Sequence, residues 1–104
     1  MRRGEVWWAD LAAPAGRRPV VLLSRDATYD TRASVTVAPV TSTIRNIPAE
    51  VPLGPEDGLG VKCVANMDDI ITIRKSRLRA QITDLSSEKI TAVNRAIIFA
   101  LDLR

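Results

Sequence analysis

The stretch SVTVAPVT, residues 34–41, alternates toward apolar side chains and is rich in β-branched residues, so it predicts a β-strand. A second apolar run, PVVLLSR (19–25), predicts an inner strand. Pro19 suits the first position of that strand, where a missing N–H donor matters least.

Short strands separated by turns account for the rest of the first two-thirds of the chain. The predicted strands are 4–11, 19–25, 34–41, 47–53, 61–66, 69–74 and 77–83. Two prolines in 47–53 place that strand at a sheet edge. The polar segment 26–33 predicts a loop with one helical turn.

The C-terminal segment SSEKITAVNRAIIFALDL (86–103) predicts a helix. Its apolar residues recur every three or four positions, at Ile90, Val93, Ile97 and Leu101. Ser86 or Ser87 caps its start, where the acidic Glu88 suits the helix dipole. A run of strands followed by one helix predicts a mainly β domain over residues 1–104: a small, strongly bent antiparallel sheet or barrel closed by a helix.

Composition excludes several classes of function. The chain has 104 residues, a net charge of +3 and no histidine, so catalysis must use other side chains and His-rich metal sites are excluded. The single Cys63 is expected to be a small buried hydrophobe. No run is long enough to span a membrane and no signal peptide is evident, so we expect no membrane partner and a cytoplasmic location. No cofactor motif is present, and we predict neither a cofactor nor a metal.

Two polar segments at the ends of apolar strands are the candidate site. The first is Arg17-Arg18-Pro19, and the second is Thr41-Ser42-Thr43-Ile44-Arg45. Guanidinium and hydroxyl groups supply the charge and the donors that a phosphate requires. The alternative interpretation is that both segments are solvated turns.

Two further features have two interpretations each. In ITIRKSRLR (71–79), Arg74 and Arg77 belong to a basic run without acids, which is typical of an RNA-binding surface or of a solvated sheet edge. The adjacent Trp7 and Trp8 point to opposite faces of a strand, so one is expected in the core. The other stacks a base or lies in a subunit interface.

Five segments, in order, resemble the MazF/PemK family, the ribonuclease toxins of bacterial toxin–antitoxin pairs. They are MRRGEVWWADL (1–11), RRPVVLLSRD (17–26), SVTVAPVTST (34–43), VANMDDIITIRKSRL (64–78) and ITDLSSEKITAVNRAIIFALDL (82–103). The resemblance implies an SH3-like antiparallel barrel with a C-terminal helix, and a homodimer. It also implies metal-independent, sequence-specific cleavage of single-stranded RNA, restrained by an antitoxin with an acidic C-terminal segment.

The resemblance also implies site residues. The arginine before the proline and the threonine that closes the strand are catalytic in the family, and here they are Arg18 and Thr41. We predict RNA contacts at Arg17, Ser42, Thr43, Arg45, Arg74 and Arg77. No proton acceptor is identified, although Asp10 and Glu50 are candidates.

Departures from the family pattern keep alternatives open. The first loop is short, and Ile71 stands where many members have a substrate-contacting arginine. One alternative is a non-enzymatic toxin on the same barrel that binds a protein such as DNA gyrase through its C-terminal helix. Another is a barrel-like interaction module that no longer cleaves RNA. The presence of both Arg18 and Thr41 favours the nuclease.

Overall fold

The computed structural model describes all 104 residues. It contains seven strands and two α-helices. The strands are β1 (Glu5–Asp10), β2 (Arg17–Leu22), β3 (Ser34–Thr41), β4 (Glu50–Leu53), β5 (Cys63–Asn66), β6 (Ile71–Arg74) and β7 (Leu78–Asp84), and the helices are α1 (Thr28–Thr31) and α2 (Ser87–Ala100). Three short 3-10 turns lie at Pro55–Asp57, Met67–Asp69 and Lys75–Arg77.

All strand pairs are antiparallel, in the order β4-β5-β3-β2-β1-β7. Strand β3 is the longest and pairs with β2 and, in two successive stretches, with β6 and β5. The predicted mainly β class with a C-terminal helix is confirmed. The end strands β4 and β7 do not pair with each other, so the sheet is open rather than a closed barrel. β4 is the predicted edge strand, and Pro52 within it is exposed.

Two hydrophobic cores lie on opposite faces of the central strands. Val21 packs in the larger core with Ala38 of β3, whereas Val20 and Leu22 pack in the smaller core with Val37. Both faces of β2 are therefore buried, which explains why its residues form a continuous apolar run rather than an alternating pattern. Each fully buried side chain of this size contributes roughly 1.5–3 kcal/mol.

Helix α2 packs over the larger core. Ser86 is its N-cap, and its side-chain oxygen accepts a hydrogen bond from the backbone N–H of Lys89 at 3.2 Å. Val93 is fully buried in the core, as its place in the apolar pattern predicts. The predicted face extends one residue too far, since Leu101 follows the helix and is exposed. Neither helix has the length and the apolar run that a membrane crossing needs.

The clearest difference from the sequence-based boundaries is at the start of β2. The strand begins at Arg17, so Pro19 is its third residue rather than its first. The reason is pairing with β1: Asp10 lies opposite Arg17 and Ala9 opposite Arg18, so the ladder continues past the apolar run. Both arginines therefore belong to a strand rather than to a loop.

Candidate active site

Arg18 and Thr41 come from neighbouring strands and face each other. Strands β2 and β3 pair Leu22 with Val37 and Val20 with Pro39. Continued by two residues, this register sets Arg18 opposite Thr41, on the same face of the sheet. Two residues that are 23 positions apart in sequence are thus neighbours at the end of one strand pair.

Both residues line a small cavity whose walls contain no hydrophobic side chain other than proline. This polar cavity has a volume of about 250 Å³. It is formed by Arg18, Pro39, Thr41, Thr43, Arg45, Asn66 and Asp69. The structure therefore brings four of the predicted site residues together around one space.

The Arg18 side chain is partly buried and has spare donors. Its Nε is buried without a hydrogen-bond partner, the one such side-chain atom in the protein. Its Nη2 donates to the carbonyl oxygen of Ala15 at 3.5 Å, a long contact. A buried donor without a partner is costly, so the Arg18 side chain is held in this position at an energetic cost.

The Thr41 hydroxyl is oriented by its own loop. Its Oγ1 accepts a hydrogen bond from the backbone N–H of Thr43 at 3.2 Å. A hydroxyl has one proton to donate and two lone pairs. Because the N–H of Thr43 occupies a lone pair, the proton of Thr41 is free to point to a ligand oxygen.

Glu50 binds the backbone of the loop that follows β3. Its buried carboxylate accepts hydrogen bonds from the backbone N–H groups of Arg45 and Asn46, each at 3.0 Å to Oε1. A longer contact of 3.3 Å joins the Arg45 N–H to Oε2. Asn46 has a φ of 58°, a left-handed conformation that asparagine tolerates well. These bonds fix the path of the segment that carries Ser42, Thr43 and Arg45.

A larger cavity of about 530 Å³ adjoins the polar one. Arg17, Arg18, Thr41, Ser42 and Thr43 line it, together with an apolar set comprising Trp8, Pro19, Val40, Leu59, Val61, Cys63 and Ile82, and with Gly60. All the predicted site residues of the two segments except Arg45 therefore border this space, and Arg45 borders the smaller one.

Arg17 and Arg79 are joined by one carboxylate. The Nε of Arg17 donates to Asp10 Oδ1 at 2.9 Å, and the Nε of Arg79 donates to Oδ2. These two hydrogen bonds hold the pKa of Asp10 below its ordinary value, and the one from Arg17 has the larger effect. In turn, the hydrogen bond to Asp10 raises the pKa of Arg17. Each guanidinium keeps its terminal nitrogens free for another partner.

The other predicted RNA contacts lie elsewhere. Arg74 pairs with Ser34, at the end of β3 opposite to Thr41, and Arg77 follows in the next turn. Neither lines the two cavities around Arg18. Ile71 borders a third cavity, of about 670 Å³, together with Arg18.

The adjacent tryptophans separate as predicted. Trp7 packs against the smaller core, and its Nε1 donates to the buried Glu5 at 2.9 Å. Trp8 is 40% exposed and lines the larger cavity. Cys63 is buried as predicted, and burial raises the pKa of its thiol. No three Cys, Asp or Glu side chains lie close enough together to hold a metal ion.

The sequence analysis names neither Asn66 nor Asp69 as a site residue, and it includes Arg79 only as a member of the basic run 71–79. Asp69 directly follows Asp68 in the sequence. The two lie in the turn Met67–Asp69, which carries Asp69 to the polar cavity. The two carboxylates named as candidate proton acceptors have other partners: Glu50 binds backbone amides, and Asp10 binds two arginines.

The protein-family model described as the PemK-like, MazF-like toxin of type II toxin–antitoxin systems matches residues 2–101. The chain belongs to this family. It is 38% identical over 101 residues to the probable endoribonuclease MazF5 of Mycobacterium tuberculosis, covering 96% of this chain and 92% of that protein. It is also 36% identical, over an alignment of 115 residues, to the endoribonuclease MazF9 of the same organism. That alignment covers 99% of this chain and 98% of MazF9.

Solved structures of MazF proteins have the same fold. The toxin MazF-mt6 of Mycobacterium tuberculosis superposes with a TM-score of 0.89 at 34% identity, covering 96% of this chain and 98% of that one. A mycobacterial endoribonuclease in complex with its cognate antitoxin superposes with a TM-score of 0.89 at 32% identity, covering 100% and 97%. The resemblance found in the sequence is therefore confirmed, and so is the fold class.

Proposed function

We propose that this chain is an endoribonuclease toxin that cleaves single-stranded RNA without a metal ion, with Arg18 and Thr41 at the cleaved phosphate. The family and the names of its curated relatives support RNA cleavage as the activity. One observation carries the choice of site: Arg18, with an unpartnered buried Nε, faces Thr41 across the β2–β3 pair and borders the same polar cavity.

RNA contains its own nucleophile. In the proposed reaction the 2′-oxygen attacks the neighbouring phosphorus, the bond from phosphorus to the 5′-oxygen breaks, and a 2′,3′-cyclic phosphate and a 5′-hydroxyl result. The phosphorane formed on the way carries extra negative charge on its non-bridging oxygens. The protein must hold the phosphate in line for attack and stabilise that charge.

Arg18 supplies the charge. Its guanidinium is permanently positive and offers a planar set of donors that matches two phosphate oxygens. Because the side chain is partly buried beside Pro39, its interaction with an oxyanion is less screened than at an open surface. The strand ladder with Ala9 holds the backbone of Arg18 in place, so little reorganisation is needed during the reaction.

Thr41 supplies a directed hydrogen bond. One lone pair of Thr41 Oγ1 accepts the hydrogen bond from the Thr43 N–H. The proton of the Thr41 hydroxyl can therefore be donated to a non-bridging oxygen or to the 2′-oxygen. The RNA backbone on either side is then bound by Arg17, Ser42, Thr43 and Arg45, which line the two adjoining cavities. In this proposal Arg74 and Arg77 contact RNA further from the cleaved bond.

The proposal includes two protein partners. One is an antitoxin whose acidic C-terminal segment covers the Arg18 and Thr41 cavities and competes with RNA. The structure of a related endoribonuclease in complex with its cognate antitoxin supports an antitoxin as partner. The other is a second copy of the chain, since the family resemblance implies a homodimer. The proposed location is the cytoplasm, where an RNA substrate and such an antitoxin would meet this protein.

The test is cleavage of a long single-stranded RNA in a chelator, with the new ends mapped. We expect cleavage at a short defined sequence, leaving a cyclic phosphate on the 5′ fragment and a hydroxyl on the 3′ fragment. Replacing the 2′-hydroxyl at the cleaved site by hydrogen must abolish it. Dependence on added magnesium, or cleavage of the 2′-deoxy linkage, would contradict the mechanism.

A further inference from the structure

We propose that Arg17 and Arg79, held together by Asp10, form a second phosphate site that binds the RNA backbone beside the cleaved linkage. This inference rests on the proposed function and adds a contact from β7, a strand that supplies no RNA contact in the proposed site. We call the three residues the arginine bridge. Guanidinium groups carry a positive charge and only hydrogen-bond donors, so the group that suits them is an anion such as a phosphate.

Asp10 is shared by two arginines from the strands on either side of β1. The Nε of Arg17 on β2 donates to Asp10 Oδ1 at 2.9 Å, and the Nε of Arg79 on β7 donates to Oδ2. Neither guanidinium makes another hydrogen bond within the protein. The Nη1 and Nη2 atoms of each arginine therefore remain as a fork of donors that matches two phosphate oxygens.

The arginine bridge carries an excess of positive charge, because two guanidinium groups share one carboxylate. The side chains of Arg17 and Arg79 are 62% and 52% exposed, so an anion from solution can reach both. Exposed ion pairs contribute little to the stability of a fold. A bound anion would lower the repulsion between the two guanidinium groups, so this arrangement favours binding over a purely structural role.

A β-bulge brings Arg79 to Asp10. Two successive pairs of the β1–β7 ladder enclose Arg79, namely Trp8 with Ala80 and Ala9 with Leu78. Arg79 is thus an extra residue on β7, and bulges redirect the side chain of such a residue and are frequent beside functional sites. On the other side, Arg17 is the regular ladder partner of Asp10. Backbone geometry therefore places the two guanidinium groups on one carboxylate.

The arginine bridge adjoins the cavity that holds the proposed catalytic pair. Arg17 lines the larger cavity together with Arg18, Thr41 and the partly exposed Trp8. Trp8 and Asp10 are two positions apart on β1, so their side chains share a face of the strand. An RNA strand whose cleaved phosphate lies at Arg18 can therefore pass along this cavity and place a neighbouring phosphate at the arginine bridge.

Asp10 is a positioning residue in this proposal. Its two oxygens fix the two Nε atoms, whereas its negative charge by itself repels RNA. The variant Asp10→Ala separates these two effects. If positive charge alone attracted RNA, this variant would bind RNA more tightly than the wild type. If oriented guanidinium groups bind one phosphate, it binds RNA more weakly, although its net charge is more positive.

The test measures the affinity for RNAs of the mapped cleavage sequence, with a 2′-deoxy group at the cleaved site and one uncharged methylphosphonate at a different linkage in each. In the wild type, we expect one linkage beside the cleaved bond at which the methylphosphonate weakens binding about tenfold. In Arg79→Ala, affinity for the unmodified RNA should fall about tenfold, and the methylphosphonate at that linkage should have no further effect.

Two further measurements distinguish a phosphate contact from a structural effect. The slope of log affinity against log salt concentration should fall by about 0.7 in Arg79→Ala, the value for one phosphate contact on a single strand. With cleavable RNA, the loss in this variant should appear in KM rather than in kcat. Asp10→Ala should also weaken binding and remove the effect of the methylphosphonate.

The control for net charge is Arg95→Ala, which removes an exposed arginine of α2 and should keep the wild-type methylphosphonate pattern. Thermal unfolding of each variant verifies that it is folded. Wild-type affinity for RNA in folded Arg79→Ala, or tighter binding by Asp10→Ala, would overturn the proposal. If Arg79→Ala loses affinity for an acidic antitoxin peptide but not for RNA, the proposal is also wrong.

These failures are distinguishable from a failure of the proposed function. If the wild type cleaves RNA in a chelator while Arg79→Ala binds RNA as the wild type does, only the arginine bridge is disproved. Wild-type protein that cleaves no RNA would overturn both.

Discussion

Arg18 and Thr41 lie opposite each other on β2 and β3, two residues beyond the last pair of the ladder, Val20 with Pro39. Both side chains line the same polar cavity. The β-sheet therefore determines the distance between a guanidinium and a hydroxyl, and the loops only orient them. Sites built on strands hold their geometry more closely than sites on loops.

Thr41→Ala should lower the cleavage rate about 10²–10³-fold, the usual effect of removing one donor to a developing oxyanion. Thr41→Ser should retain most of the activity because it keeps the hydroxyl and its bond from Thr43. Single-turnover rates measure both variants. Thr91→Ala, which removes an exposed hydroxyl on α2, is the control. Equal losses in the alanine and serine variants would show that the hydroxyl is not what matters.

Glu50→Ala should loosen the loop that carries Thr43 and Arg45. The variant leaves the backbone N–H groups of Arg45 and Asn46 without their acceptor, and we expect a loss of about 1–3 kcal/mol in the free energy of unfolding. The KM for RNA should also rise. Denaturant unfolding and steady-state kinetics test this, with the exposed Glu56→Ala as the control. Matching stabilities of the two variants would contradict the role given to Glu50.

Asp10 should titrate below the ordinary range of an aspartate, because Arg17 and Arg79 hydrogen-bond to its charged form. A group whose pKa is lowered by folding stabilises the protein above its unfolded pKa. That contribution is lost as the pH falls through the lowered value. Carboxyl NMR titration should show the Asp10 pKa rising in Arg17→Ala, and less in Arg79→Ala. An unshifted wild-type Asp10 would mean that the bridge does not persist in solution.

Tyr29 is the only tyrosine, so phenolate absorbance reports on it alone. Burial and the nearby Asp26 raise its pKa to about 12, while its hydroxyl donates to the carbonyl oxygen of Ser24 at 2.9 Å. Between the ordinary value of 10.0 and about 12, the unfolded chain loses a proton that the folded chain keeps. Stability should therefore fall as the pH rises through this window, and Tyr29→Phe should remove that part of the fall. A phenolate that forms near pH 10 in the folded protein would refute the shift.

The sequence predicts the strands and the C-terminal helix well, because local apolar patterns determine them. The run 34–41 is β3 without a change of boundary, and Ser86 caps α2 as its position indicates. The start of β2 could not be read from the apolar run, since pairing with Asp10 and Ala9 extends the strand through two arginines.

The sequence indicates the two segments of the candidate site but not their distant neighbours, for a similar reason. Strand-end arginine and hydroxyl segments were recognised, and the structure brings them together. Asp69 is absent from the predicted site, and Arg79 is predicted only as a member of the basic run 71–79, because the neighbours of both come from residues more than 20 positions away. Asp69 borders the same cavity as Arg18 and Thr41, and Arg79 binds Asp10. No local sequence pattern predicts which distant residues become neighbours in the fold.

In the proposed reaction Arg18 stabilises the charge on the cleaved phosphate. The most direct measurement is the single-turnover cleavage rate of Arg18→Ala, paired with its affinity for an RNA carrying a 2′-deoxy group at the cleaved site. Arg95→Ala, which removes an exposed arginine of α2, is the control for net charge. We predict a loss of about 10³-fold in the rate with a much smaller loss of affinity. Cleavage by folded Arg18→Ala at the rate of the Arg95→Ala control would contradict this role of Arg18.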